Sequence, residues 1–141
     1  MTEDTLIHEI LRETKTFACV GASLNHDRPS YYVSSYLQSQ GYRVISINPI
    51  HAGKKWLGEV IYPSLADVPP KIKIDALDIF RKFDVLYSII QDAIKHLSTD
   101  LKYIWTQLGI KNEDALELAK YNNLKIIQNR CPKIEIPRLI K

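Results

Sequence analysis

Gly21, Ala22 and Ser23 close an apolar run, and Arg28, Pro29, Ser30 and Tyr31 follow in the same loop before a helical pattern begins. A strand that stops on a glycine and a helix that starts near Pro29 leave backbone N–H groups facing the space between them. That is the usual geometry for holding an anion. Arg28 can bridge two phosphate oxygens with its fork, and Ser30 can either cap the helix or donate to the same anion. The same residues also read as a solvated cap with a local ion pair between Asp27 and Arg28. A dinucleotide fingerprint needs three glycines at this place, and only Gly21 is present.

A second group follows the next apolar run: Asn48, Pro49, His51, Lys54 and Lys55, with no carboxylate before Glu59. A site for NAD normally puts an acid at that point to take the ribose hydroxyls. Basic residues suit a phosphorylated ribose instead, as in NADP or coenzyme A, although adjacent lysines are equally what an exposed turn carries. Arg81, at the end of "DIFRK", can stack on a flat base, meet a phosphate or pair with Asp84. Phe80 beside it and Trp105 read first as core, since strand residues in a covered sheet are buried. Gln107, in "WTQLG", offers a carboxamide at a strand end.

Groups able to make or break bonds are sparse. His8, His26, His51 and His96 are scattered, without a nucleophile and an orienting carboxylate spaced as a triad. Cys131, before Pro132 and Lys133, is a reactive thiol if the lysine lowers its pKa and a small packing residue otherwise. The other cysteine, Cys19, lies in an apolar run; neither metal-ligand spacing nor a disulfide framework is visible.

The elements that position these residues follow from periodicity. Leu6, Ile7, Ile10 and Leu11 share one face of a leading helix within residues 1–15, capped by Asp4 or Thr5. "TFACV" is a first strand covered on both faces. "SYYVSSYLQSQ" is a helix that Gly41 stops in left-handed backbone, and "YRVISI" is a second strand. An irregular stretch follows, "HAGKKWLGEVIYPSLADVPPK", read as turns with one helical turn at "SLAD", where Ser64 and Asp67 have capping-box spacing. "IDALDIF" is a third strand, and Asp84 caps the helix after it. "KYIWTQL" is a fourth strand, Asn112 caps "EDALELAKY", and "LKIIQN" is a fifth. Residues 131–141 are a tail that Pro132 turns across the sheet edge, with Ile134 and Ile136 alternating inward.

Strands alternating with amphipathic helices predict an α/β, Rossmann-like, doubly wound parallel sheet of five strands in the order 3-2-1-4-5. Ligands then bind beyond the carboxyl ends of the strands, at the switch point between the first and the fourth. The 141 residues fit one domain, 45% hydrophobic and 25% charged, with a formal charge of +3. Lysines and arginines are scattered, which argues against a nucleic-acid surface. No apolar run approaches the roughly 20 residues needed to span a bilayer, and the first residues lack the pattern of a signal peptide. A reducing cytosol is the expected setting.

Taken in order, "VGAS", "DRPSYYV", "LQSQGYRVISINP", "YPSLADVP", "DIFRK", "WTQLGI" and "CPKIE" resemble the small stand-alone bacterial proteins of the coenzyme A-binding domain family. Their fold is that of the N-terminal domain of the succinyl-CoA synthetase alpha subunit. The resemblance runs from about Thr16 to Leu139. It implies a domain that binds coenzyme A or an acyl-CoA without a catalytic step of its own. It places Gly21, Ala22 and Ser23 at the phosphates, with Arg28, Pro29, Ser30 and Tyr31 at the helix start beside them. Asn48, Pro49 and Lys54 lie toward the adenosine end, Phe80 and Arg81 line the third-strand edge, and Gln107 sits opposite. Two other classes stay open on the residues alone: an NADP-dependent oxidoreductase, and a regulatory module that binds a protein partner beside a vestigial pocket. The residues name no particular protein partner.

Overall fold

The computed structural model describes residues 2–97 and 99–140. All five expected strands form: β1 (Thr16–Val20), β2 (Arg43–Ile47), β5 (Ala76–Ile79), β6 (Tyr103–Thr106) and β7 (Lys125–Ile127). They make one sheet in which every neighbouring pair is parallel. Alternate residues feed two cores. Ala18, Val20, Ile45, Leu77, Ile79 and Ile104 face α3 (Phe83–Leu97) and α4 (Glu113–Tyr121). Phe17, Cys19, Val44, Ala76 and Trp105 face α1 (Glu3–Glu13), α2 (Pro29–Ser39) and α5 (Pro132–Leu139). Burial on both faces is why these strands read as nearly unbroken apolar runs.

The strand order differs from the expected 3-2-1-4-5. It is β2-β1-β5-β6-β7, or 2-1-3-4-5 counting only the five main strands. The irregular stretch supplies the reason, because it occupies the free edge of β2 itself. Tyr62 bridges Ile47 in parallel, the Asn48 N–H donates to the Tyr62 carbonyl at 2.9 Å, and the Tyr62 N–H donates to that of Ser46 at 3.0 Å. With that edge taken, the third main strand pairs on the other side of β1, Phe17 opposite Ala76. The switch point therefore lies between β1 and β5, not between the first and fourth strands.

Part of the stretch expected to be turns is a small antiparallel hairpin, β3 (Lys55–Trp56) and β4 (Glu59–Val60). It leans on α2, with the Trp56 and Tyr31 rings 4.1 Å apart and Gln38 Nε2 donating to the Leu57 carbonyl at 2.9 Å. The "SLAD" turn is a 3-10 turn at Leu65–Asp67, where Ser64 Oγ and Asp67 Oδ2 meet at 2.6 Å.

Several helix boundaries shift. Thr2, not Asp4 or Thr5, caps α1, its hydroxyl accepting from the Thr5 N–H. α3 begins at Phe83, which puts Asp84 inside the first turn. Asn112 caps α4 as expected, accepting from the Ala115 N–H at 3.0 Å. The tail is a correction: residues 132–139 are helical, because Pro132 stands at the first helical position, where its fixed φ and missing N–H cost least. Two positions apart on a helix point to different sides, so Ile136 is buried while Ile134 is about half exposed. Arg138 pairs with Glu135 within α5 and ties that helix to Asp4 of α1. Among the described residues no helix is long and apolar enough to cross a membrane.

Candidate functional site

A cavity of about 730 Å³ opens above the carboxyl ends of β1, β5 and β6. This size suits a cofactor-scale ligand. The first-strand loop forms one wall. Gly21 holds φ +92°, and its N–H and that of Ala22 both reach the Ile47 carbonyl, at 3.1 and 3.2 Å. A Cβ on Gly21 would lie 2.9 Å from Arg81 Cδ, so the glycine lets the arginine stem cross the turn. Ser23 and Asn25 tighten the loop by accepting from the Asn25 and Asp27 N–H groups, each at 3.0 Å. Pro29 at the first position of α2 leaves Ser30 at the second. Among the described residues the Ser23 and Ser30 amides have no intramolecular acceptor.

Most of the expected site residues meet here. Gly21, Ala22, Ser23, Arg28, Pro29, Ser30, Asn48, Phe80, Arg81 and Gln107 all line the cavity. Three do not. Tyr31 packs on Trp56, Lys54 is exposed on the turn before β3, and Pro49 lines a smaller cavity of about 190 Å³ with Leu65, Val85 and Ile89. That second cavity adjoins the first, sharing Gly21 and Arg81. Asn48 is a strut: its Nδ2 donates to the Ala22 carbonyl at 2.6 Å, and its Oδ1 accepts from the Ile50 N–H at 2.8 Å.

The wall is electropositive. Arg28, Arg81, Lys82 and His51 border it, against the single carboxylate of Asp84. Among the described residues none of Arg28, Arg81 and Lys82 is in an ion pair; Asp27 lies 3.7 Å from His26 instead. Unpaired cations beside unfilled amides favour an anion with several oxygens.

Behind Gln107 lies a group that periodicity concealed. Ser46, Cys19, Asp78 and Trp105 stand in register across four strands, on the face covered by α2 and α5. Asp78 is fully buried, and Gln107 Nε2 donates to its Oδ1 at 2.6 Å. Among the described residues Oδ2 has no hydrogen-bond partner, nor do the hydroxyls of Ser34 and Ser46. Burial pushes the Asp78 carboxyl from an ordinary 3.8 to about 7, with the Gln107 bond opposing the rise. The second of the two aspartates in "IDALDIF", the one flanked by leucine and isoleucine, was the available signal, because a carboxylate in a covered strand needs a partner or a purpose.

Cys131 ends the loop after β7 and reaches the cavity as the first residue before α5. Asn129, at φ +62°, turns the chain there and accepts from the Gly109 N–H at 2.7 Å. Burial holds the Cys131 thiol above its ordinary pKa despite N–H groups from Lys133 and Ile134, and burial raises Cys19 further. Among the described residues no cluster of His, Cys, Asp and Glu could hold a metal ion.

An open α/β sheet with a basic crevice at its switch point is the architecture in which folds of this class hold nucleotides and cofactors. Residues 15–137 match the family described as CoA binding domain, and the chain belongs to that family. It is 33% identical over 128 residues to YneT of Bacillus subtilis (strain 168), spanning 91% of this chain and 90% of that protein. A hypothetical protein of Pyrococcus horikoshii OT3 superposes with a TM-score of 0.88 at 35% identity, covering 99% of this chain and 94% of that one. A dinucleotide-forming acetyl-coenzyme A synthetase of Ca. Korarchaeum cryptofilum, in complex with phosphate and ADP, matches at TM-score 0.68 and 25% identity. That match covers 84% of this chain and 26% of the synthetase.

Proposed function

We propose that this protein binds coenzyme A or an acyl-CoA in the crevice above β1, β5 and β6, without a catalytic step of its own. One observation carries the reading: Arg28, Arg81 and Lys82, in no ion pair among the described residues, line the same cavity as Ser23 and Ser30, whose amides lack an intramolecular acceptor, and that cavity is wide enough for a phosphorylated cofactor. Phosphates belong at the first-strand loop. The smaller apolar pocket of Pro49, Leu65, Val85 and Ile89 suits a purine, and the floor of Gln107, Leu108, Ile110 and Cys131 suits an uncharged arm ending in a thiol or thioester. The family supports coenzyme A over other phosphorylated nucleotides. Neither thiol has the lowered pKa of a nucleophile, which supports binding without chemistry.

Thermal stability measured with coenzyme A, 3′-dephospho-coenzyme A, acetyl-CoA, NADP and NAD at matched concentrations tests this. A ligand at about a hundred times its dissociation constant adds roughly 2.7 kcal/mol, a shift of several degrees. Stabilisation by coenzyme A, smaller without the 3′-phosphate and absent with NADP and NAD, is the expected result. Stabilisation by NADP alone would give the site to an oxidoreductase, and stabilisation by none would point to a protein partner.

A further inference from the structure

Asp78 is a costly residue where it stands. It lies at the centre of the sheet with no exposed surface, and no cation is bonded to it. Its titratable neighbours are Cys19 on β1 and Cys131 at the head of α5, and both feel its charge. β6 contributes Trp105, in register with Asp78, and then Gln107. Glu135 of α5, which acts on Cys131, is bonded to Arg138 at 2.6 Å. Among the described residues the only bonded partner of the Asp78 side chain is Gln107, which is also part of the cavity wall. Buried carboxylates without a compensating cation are expensive, so the position calls for a use.

The bond to Gln107 suggests that use. A carboxylate can only accept, so an ionised Asp78 turns the Gln107 NH₂ toward itself and leaves the amide oxygen for the cavity. This is the arrangement seen, with Nε2 on Oδ1. A protonated Asp78 has one hydrogen to donate. Among the described residues Oδ2 has no hydrogen-bond partner to receive it, so the proton is best used on Oδ1, toward the Gln107 oxygen. The carboxamide then turns over and presents NH₂ to the cavity.

We infer that Asp78 is a positioning residue which, through Gln107, decides whether the cavity floor offers a hydrogen-bond acceptor or a donor to the uncharged end of a thiol- or thioester-bearing ligand. The inference rests on the coenzyme A reading. A free thiol donates S–H and is served by the amide oxygen; a thioester carbonyl accepts and is served by the amide NH₂. Because the carboxyl titrates near neutrality, the preference between the two ligands follows pH.

Calorimetric titration of coenzyme A and acetyl-CoA at pH 5.5 and pH 8.0 tests this through the ratio of the two affinities. The phosphate, which ionises near about pH 6, is common to both ligands and drops out of the ratio. In the unaltered protein the ratio of acetyl-CoA to coenzyme A affinity should be about five-fold higher at pH 5.5, the worth of one neutral hydrogen bond. Asp78→Asn should remove the pH dependence, and Gln107→Leu, which cannot exchange donor for acceptor, should remove it as well. A ratio that stays constant while both ligands bind overturns the inference and leaves the coenzyme A reading standing. So does a shift that survives in both variants. Absence of binding by either ligand at both pH values overturns the coenzyme A reading, and this inference with it.

Discussion

Replacing Asp78 with asparagine removes a buried charge at nearly constant shape, and its effect on folding should depend steeply on pH. The carboxyl moves from an ordinary 3.8 to about 7 in the folded chain, and each unit is worth about 1.36 kcal/mol. Because the folded value is the higher one, the folded chain binds more protons than the unfolded chain between them. Stability therefore falls as pH rises through this window, and the loss levels off above about 7. Integrated between pH 5 and pH 8, this single group costs about 2.5 kcal/mol. Asp4, lowered by Arg138, and Glu9, lowered by Lys125 and Tyr103, act in the opposite sense at more acid pH. Both proteins carry them, so they cancel in the difference. Urea unfolding of the two proteins at pH 5 and pH 8 is the assay. The stability of Asp78→Asn relative to the unaltered chain should rise by about 2.5 kcal/mol from the lower pH to the higher. A difference constant to within about 0.5 kcal/mol would refute the claim that this carboxyl is held near neutrality by burial.

Three further outcomes follow from the same geometry. Arg28→Ala should weaken coenzyme A binding by about 1.5–3 kcal/mol in calorimetry with little change in stability, since Arg28 is exposed and unpaired; unchanged affinity would remove it from the site. Gly21→Ala should cost about 1–2 kcal/mol of stability for its left-handed backbone and also weaken binding, because the new Cβ displaces Arg81; normal binding would mean that Arg81 does not touch the ligand. At pH 7 a thiol-alkylating reagent should modify Cys131 slowly and Cys19 only on unfolding, with coenzyme A protecting Cys131 further; rapid labelling of the folded protein would contradict the buried, raised thiols.

The five main strands, the start of α2 at Pro29, the stop at Gly41 and the Asn112 cap were all legible in the chain, because each depends on residues within a few positions of one another. So was the gathering of Gly21, Arg28, Ser30, Arg81 and Gln107, since a parallel sheet brings its strand ends together whatever the strand order. The order itself was not legible. It turned on the edge of β2 being taken by Tyr62, a pairing between segments that no local pattern announces. The α5 helix hid behind an alternation of isoleucines that suits a strand, and only packing of Ile136 between α1 and α2 decides against it. Lys54 looked like a ligand by position and lies on the turn before β3, outside the cavity. Asp78 shows the division most plainly: that an acid stands in a buried strand is legible along the chain. Folding alone brings two cysteines and a carboxamide to it rather than a cation, and Gln107 links it to the cavity. Local chemistry is written along the chain, whereas the partner of a buried charge depends on which distant strand comes to lie beside it.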